Sequence, residues 1–214
     1  MEITTWISNN YIEIFGAVTG ILYVFLEIRQ NIWLWPVGIA TSAVYIWVFF
    51  TSKFYADMNL QGYYLVISIL GWYWWIRGKN GRGGEGEKGR ERKSESESES
   101  ERRRLRVSRI NVKTTLILSS VFIVLYAVMH FVLDRLTDSP VPGWDAFITS
   151  LSITATWMLA RKIYEHWYLW IIVNTVSAIL FLSRGLYPTF ILYVVYGIMS
   201  FSGLRVWKKD LVSK

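Results

Sequence analysis

Apolar runs of about 17 to 20 residues recur along this chain, and runs of that length cross a bilayer as helices. Seven spans follow from them: Tyr11 to Ile28, Ile32 to Thr51, Leu60 to Ile76, Thr114 to Leu133, Trp144 to Leu159, His166 to Leu182 and Thr189 to Val206. Pro36 and Pro188 stand at the starts of the second and seventh, where a missing N–H does little harm. Gly16 and Gly20 are four apart in the first span and predict a groove for close helix packing. The third ends in an interfacial belt, Trp72 to Trp75. The fifth has the weakest pattern. Its Thr149, Ser150, Ser152, Thr154 and Thr156 suit a helix buried among others, with hydroxyls bonded to its own carbonyls or to neighbours.

The pattern breaks between Gly78 and Arg109, where Gly, Ser, Glu, Arg and Lys dominate. Such a stretch cannot bury enough apolar surface to offset ordering, so residues 78–110 are expected to form a disordered charged linker. Its Arg102, Arg103 and Arg104 suit a lipid headgroup; a solvated linker is the plainer reading. The expected organisation is a first three-helix unit over 11–77, the linker, a linking helix over 113–134 and a second unit over 144–207.

Composition narrows the class. Hydrophobic residues make up 53% and aromatics 17%, too much for an ordinary soluble domain. The net charge of +7 lies at span ends and in the linker, which speaks against a nucleic-acid partner. Arg29, Arg77, the linker, Arg161, Lys162, Arg205, Lys208, Lys209 and Lys214 fall on one side, against Lys53, Arg135 and Arg184 on the other. The positive-inside rule makes the first side cytoplasmic, with the N-terminus out and the C-terminus in. Met1 to Asn10 lacks a basic start, so no cleaved signal peptide is expected. Cysteine is absent, which excludes disulfides, thiolate metal sites and a Cys nucleophile.

The two triplets look like copies. A shift of 135 pairs Trp35 with Trp170 and Ser42 with Ser177, and sets Trp167 against Ile32 and Asn174 against Ile39. A shift of 132 pairs Tyr55 with Tyr187, Tyr64 with Tyr196, Gly71 with Gly203 and Trp75 with Trp207, and sets Tyr193 against Gln61. The three-residue difference is expected in the loop between second and third helices. With the fourth span restoring direction, the fold class is all-α integral membrane, two parallel three-helix repeats joined by a linking helix. That is a transporter design with its site between the repeats.

In the sixth span, Trp167, Trp170 and Asn174 share one helix face. An Asn at that depth needs a partner. The face reads as a pocket wall for a flat, neutral or cationic ring. Ordinary alternatives are interfacial anchoring for the Trp pair, an interhelical bond for Asn174, a helix-start role for Gln61 and packing for the tyrosines. His130 lacks companions at metal-ligand spacing, and His166 reads as interfacial. No metal and no cofactor are expected.

The stretches NIWLWPVGI (Asn31 to Ile39), YADMNLQGYY (Tyr55 to Tyr64), GWYWW (Gly71 to Trp75), WYLWIIVNTVSA (Trp167 to Ala178) and YPTFILYVVYGIMS (Tyr187 to Ser200) resemble the PnuC-type vitamin transporters, whose architecture is related to the SWEET sugar transporters. The resemblance implies a trimeric bacterial inner-membrane facilitator of nicotinamide riboside, whose cargo a cytoplasmic kinase traps by phosphorylation. Relatives carry thiamine or riboflavin. Trp167, Trp170, Asn174 and Gln61 match the family's binding positions; Thr41, Asn59, Tyr64, Tyr193 and Tyr196 join them by depth and face.

Chemistry adds two expectations. The span interiors hold no Arg or Lys to clamp a phosphate, so the phosphorylated mononucleotide should be rejected. Glu13, Glu27, Asp57, Asp134 and Glu165 lie near span ends, which leaves no mid-depth proton relay and favours uncoupled facilitated diffusion. With no Ser-His-Asp set, no H-E-x-x-H and no paired buried carboxylates, the chain is not expected to be an enzyme. A receptor would bind without flux.

Overall fold

A computed structural model describes residues 11–51, 55–77, 106–137 and 140–212. Seven helices follow in order: α1 (Tyr11–Ile28), α2 (Leu34–Thr51), α3 (Tyr55–Arg77), α4 (Val112–Leu136), α5 (Pro142–Ala160), α6 (His166–Ser183) and α7 (Tyr187–Val212). Most of the linker, residues 78–105, lies outside the described residues.

α1 packs on α2 and α7, α3 on α2 and α5, α5 on α6, and α6 on α7. If α5, α6 and α7 are the second copies of α1, α2 and α3, the contacts α1–α7 and α5–α3 are one contact made twice. The bundle is thus two triplets about a pseudo-two-fold axis, with α4 packed against α5 alongside. None of α4's residues is buried.

α5, the weakest span in sequence, is the central one. Ten of its residues are buried. Three of its hydroxyls are satisfied within the helix: Ser152 donates to the Ile148 carbonyl at 2.8 Å, Thr154 to the Ser150 carbonyl at 2.9 Å and Thr156 to the Ser152 carbonyl at 2.8 Å. A bond one turn back hides the polar group, so a Ser/Thr-rich helix can sit inside without orphaned hydroxyls at those positions.

The repeat runs on one offset, 132, through all three helices, which corrects the 135 expected for the first two. α1 and α5 end in the same turn. Gln30 and Lys162 take positive φ, 49° and 50°. Asn31 N–H bonds Leu26 carbonyl at 2.9 Å, and Ile163 N–H bonds Met158 carbonyl at 2.9 Å, the bonding of a left-handed helix stop. The edge-on pair Trp35–Trp75 (centroids 5.3 Å, 88°) is matched by Trp167–Trp207 (5.8 Å, 81°). A Cβ on Gly71 would overlap the Trp35 ring, and one on Gly203 the Trp167 ring. The counterpart of Trp35 is therefore Trp167 and that of Ser42 is Asn174. A three-residue slip is close to one helical turn, so apolar faces nearly re-register and the wrong shift collects matches.

Two further expectations change. Residues 106–110 are ordered: Ser108 N–H bonds the Lys162 carbonyl at 3.0 Å, Tyr164 N–H bonds the Ser108 carbonyl at 2.9 Å, and Ile110 N–H bonds a Glu165 carboxylate oxygen at 2.9 Å. Val107 anchors the strip by burying its side chain. The Gly16 and Gly20 groove accommodates phenols, since a Cβ there would overlap the hydroxyls of Tyr45 and Tyr196 respectively.

Candidate transport site

A cavity of about 310 Å³ lies between the triplets. Nine pairs of its lining residues are related by the 132 offset, among them Gly38 with Trp170, Ser42 with Asn174, Gln61 with Tyr193 and Tyr64 with Tyr196. The cavity therefore straddles the pseudo-two-fold axis. The lining residues without a counterpart in it are Thr19, Tyr23 and Glu27 from α1 and Trp167 from α6.

Of the residues singled out in sequence, the cavity gathers Trp167, Trp170, Asn174, Gln61, Thr41, Tyr64, Tyr193 and Tyr196. Asn59 does not join them: it is exposed, outside the lining. Two residues before Gln61 on a helix, it points some 200° away.

Trp167 is fully buried, wedged between His166 (centroids 4.7 Å) and Trp207 (5.8 Å). The Asn174 amide donates to the Ser200 hydroxyl at 3.1 Å, which donates in turn to the Tyr196 carbonyl at 2.8 Å. Its partner fixes which way the amide faces. Tyr193 stacks on Phe181 (5.2 Å, 27°) and meets Tyr196 edge-on (5.8 Å, 81°). The indole N–H groups of Trp167 and Trp170 are buried without a hydrogen-bond partner among the described residues. Those of Trp35 and Trp75 are too, but neither lines the cavity. A buried orphan donor costs about 1–3 kcal/mol, and at the cavity wall a ligand acceptor can recover it.

Sequence reasoning missed the end of the cavity where α1 stops and α6 starts. Glu27 is buried and lines it. Its carboxylate oxygen is 3.0 Å from His166 Nε2, and His166 Nδ1 is 2.7 Å from the Ile163 carbonyl. His166 is wholly buried, not interfacial. The Trp207 indole donates to the Glu27 backbone carbonyl at 3.1 Å. Both residues stand at span ends in sequence, 139 positions apart, and only the meeting of the triplets puts them inside. Among the described lining residues Glu27 is the one carboxylate, and none is Arg or Lys.

The arrangement offers aromatic faces, neutral amides and hydroxyls, with a carboxylate–imidazole pair at one end. That suits a flat, polar, low-charge solute. Residues 10–209 match the family model described as Nicotinamide mononucleotide transporter. The chain belongs to that family. It is a PnuC-type, multi-pass membrane transporter and not an enzyme. The nicotinamide riboside transporter PnuC of Escherichia coli is 25% identical over 205 residues, spanning 92% of this chain and 85% of that protein. The riboflavin/roseoflavin transporter RibM of Streptomyces davaonensis is 24% identical over 195 residues, spanning 91% and 83%. The crystal structure of the vitamin B3 transporter PnuC shares the fold, with a TM-score of 0.69 at 22% identity, covering 99% of this chain and 86% of that one.

Proposed function

We propose that this PnuC-family protein carries nicotinamide riboside across the bacterial inner membrane by facilitated diffusion, with the N-terminus outside and the C-terminus in the cytoplasm. The observation that carries the reading is the axial cavity, where Trp167, Trp170, Asn174 and Gln61 meet. A pyridinium over an indole face gains up to about 2 kcal/mol when both are desolvated. The amides of Asn174 and Gln61 supply the donors and acceptors a carboxamide needs. The riboside's hydroxyl oxygens are acceptors for the orphan indole N–H groups. The name of the Escherichia coli relative agrees. Cytoplasmic phosphorylation by a riboside kinase would trap the cargo, and the working unit would be a homotrimer.

The absence of Arg and Lys from the described lining argues for the riboside over its phosphorylated mononucleotide. Riboflavin is the second reading, favoured by the RibM relative; thiamine, another flat cation, remains the third. Uptake of labelled riboside, mononucleotide, riboflavin and thiamine into sealed proteoliposomes tests all four. Saturable flux of the riboside alone is expected, and preferential flux of any other overturns the assignment. Binding without flux would make the protein a receptor.

A further inference from the structure

We propose that Glu27 sets the charge specificity of the cavity, releasing the proton it shares with His166 when a cationic ring binds and keeping it when a neutral ring binds. The proposal rests on the cavity being the substrate site.

The argument starts from donors and acceptors. A carbonyl oxygen only accepts, so the 2.7 Å contact from His166 Nδ1 to the Ile163 carbonyl places a proton on Nδ1. The 3.0 Å contact from Nε2 to Glu27 then needs a second proton between them. Without it, a carboxylate oxygen would face an imidazole lone pair. Whichever atom holds that proton, the pair as a unit is neutral.

The counterparts of the pair carry the contrast. On the 132 offset Glu27 corresponds to Leu159 and His166 to Leu34, and both leucines are fully buried in the apolar core. Geometry alone is thus satisfied by two leucines, yet the copy that faces the cavity holds a carboxylate and an imidazole. The other titratable groups on the cavity wall are the phenols of Tyr23, Tyr64, Tyr193 and Tyr196. α2 presents Leu34 and Trp35 at this end, and α7 presents the Trp207 indole. Just past the end of α1, Gln30 bonds both Lys162 and Asp210. Arg29 and Arg161 lie over rings of Phe25 and of Trp74 and Trp157. Glu27 is therefore the cavity's one carboxylate among the described residues.

A buried net charge is costly, so an entering cation favours loss of the shared proton to solvent. The Glu27 carboxylate, no longer hydrogen-bonded to His166, turns to the cation as its counter-charge and the site stays neutral; His166 acts through Glu27 as a positioning residue. A neutral ring gives no such drive. Affinity for the cation should rise with pH by up to about tenfold per unit while the pair is protonated. Affinity for a neutral ring should stay flat.

Isothermal titration of the full chain in detergent, in two buffers of different ionisation heat across roughly pH 5 to 8, counts the protons. The probes are nicotinamide riboside and its reduced, uncharged dihydro form. Release approaching one proton is expected for the first and none for the second. In Glu27→Gln the release should vanish, and the cationic-to-reduced affinity ratio should fall at least tenfold. The double variant Glu27→Leu with His166→Leu copies the leucine pair already accommodated at the symmetric position, and should give the same loss if the single variant folds poorly. Equal proton counts for the two probes, or release that survives either variant, overturn the proposal alone. Binding of neither probe to the wild-type chain overturns the transport reading and the proposal together.

Discussion

The two triplets have nearly the same frame, but their middle helices, α2 and α6, have opposite tasks at the cavity. In the second, α6 presents Trp167, Trp170 and Asn174. At the same positions α2 has Trp35, Gly38 and Ser42; Gly38 and Ser42 line the cavity while Trp35 is packed into the core. At these positions α6 supplies two indole rings and an amide, while α2 withdraws its side chains to make room. An asymmetric ligand on a symmetric axis needs this division.

The sharpest way to break the comparison is to give the first triplet the ring of the second. Gly38→Trp, copying Trp170, should abolish riboside binding, since the indole would occupy the cavity. A thermal-shift assay on monodisperse protein checks it, and retained binding would show that the ligand sits elsewhere. Next in size, Trp170→Ala or Asn174→Leu should weaken binding by about tenfold to a hundredfold, the effect of losing a stacked ring or leaving a buried polar partner unpaired. Titration with riboside measures it, and unchanged affinity would remove those residues from the site.

A subtler contrast concerns the two glycines under the paired tryptophans. Gly71→Ala and Gly203→Ala should each destabilise the protein by about 1–3 kcal/mol through overpacking, seen as matched drops in melting temperature. Affinity should fall only for Gly203→Ala, because Trp167 lines the cavity and Trp35 does not. Equal affinity losses would mean that the triplets are coupled through the core and not divided in task. The smallest effect is expected at Asn59→Ala, with riboside uptake within about twofold of the parent chain, in line with an exposed surface substitution.

Much of this was legible in the chain. Span-length apolar runs gave seven helices because the bilayer sets one scale for all of them. The hydroxyls of α5 announced a buried helix because only internal packing tolerates them. The Trp167, Trp170 and Asn174 face was readable because helical spacing is local. What could not be read depends on distance in sequence. Glu27 and His166 each look like ordinary span-end residues until α1 and α6 meet. The 106–110 strip continues the charged linker in sequence, but Val107 is buried and the strip's backbone finds partners in the 162–165 turn. The 132 offset lost to a one-turn slip because periodicity alone fixes faces more firmly than register. Asn59 lies outside the lining for the same reason in miniature, being close to Gln61 along the chain but on the other side of the helix.

The matched turns at Gln30 and Lys162 carry a geometric corollary. The two residues are copies of one another, yet their side chains touch, Lys162 Nζ lying 3.3 Å from Gln30 Oε1. Copies related by a rotation can meet only where the axis itself passes, so this contact marks the point at which the dyad leaves the protein. In any rocking of the halves about that line, groups far from it sweep the widest arcs while these two stay together as a pivot.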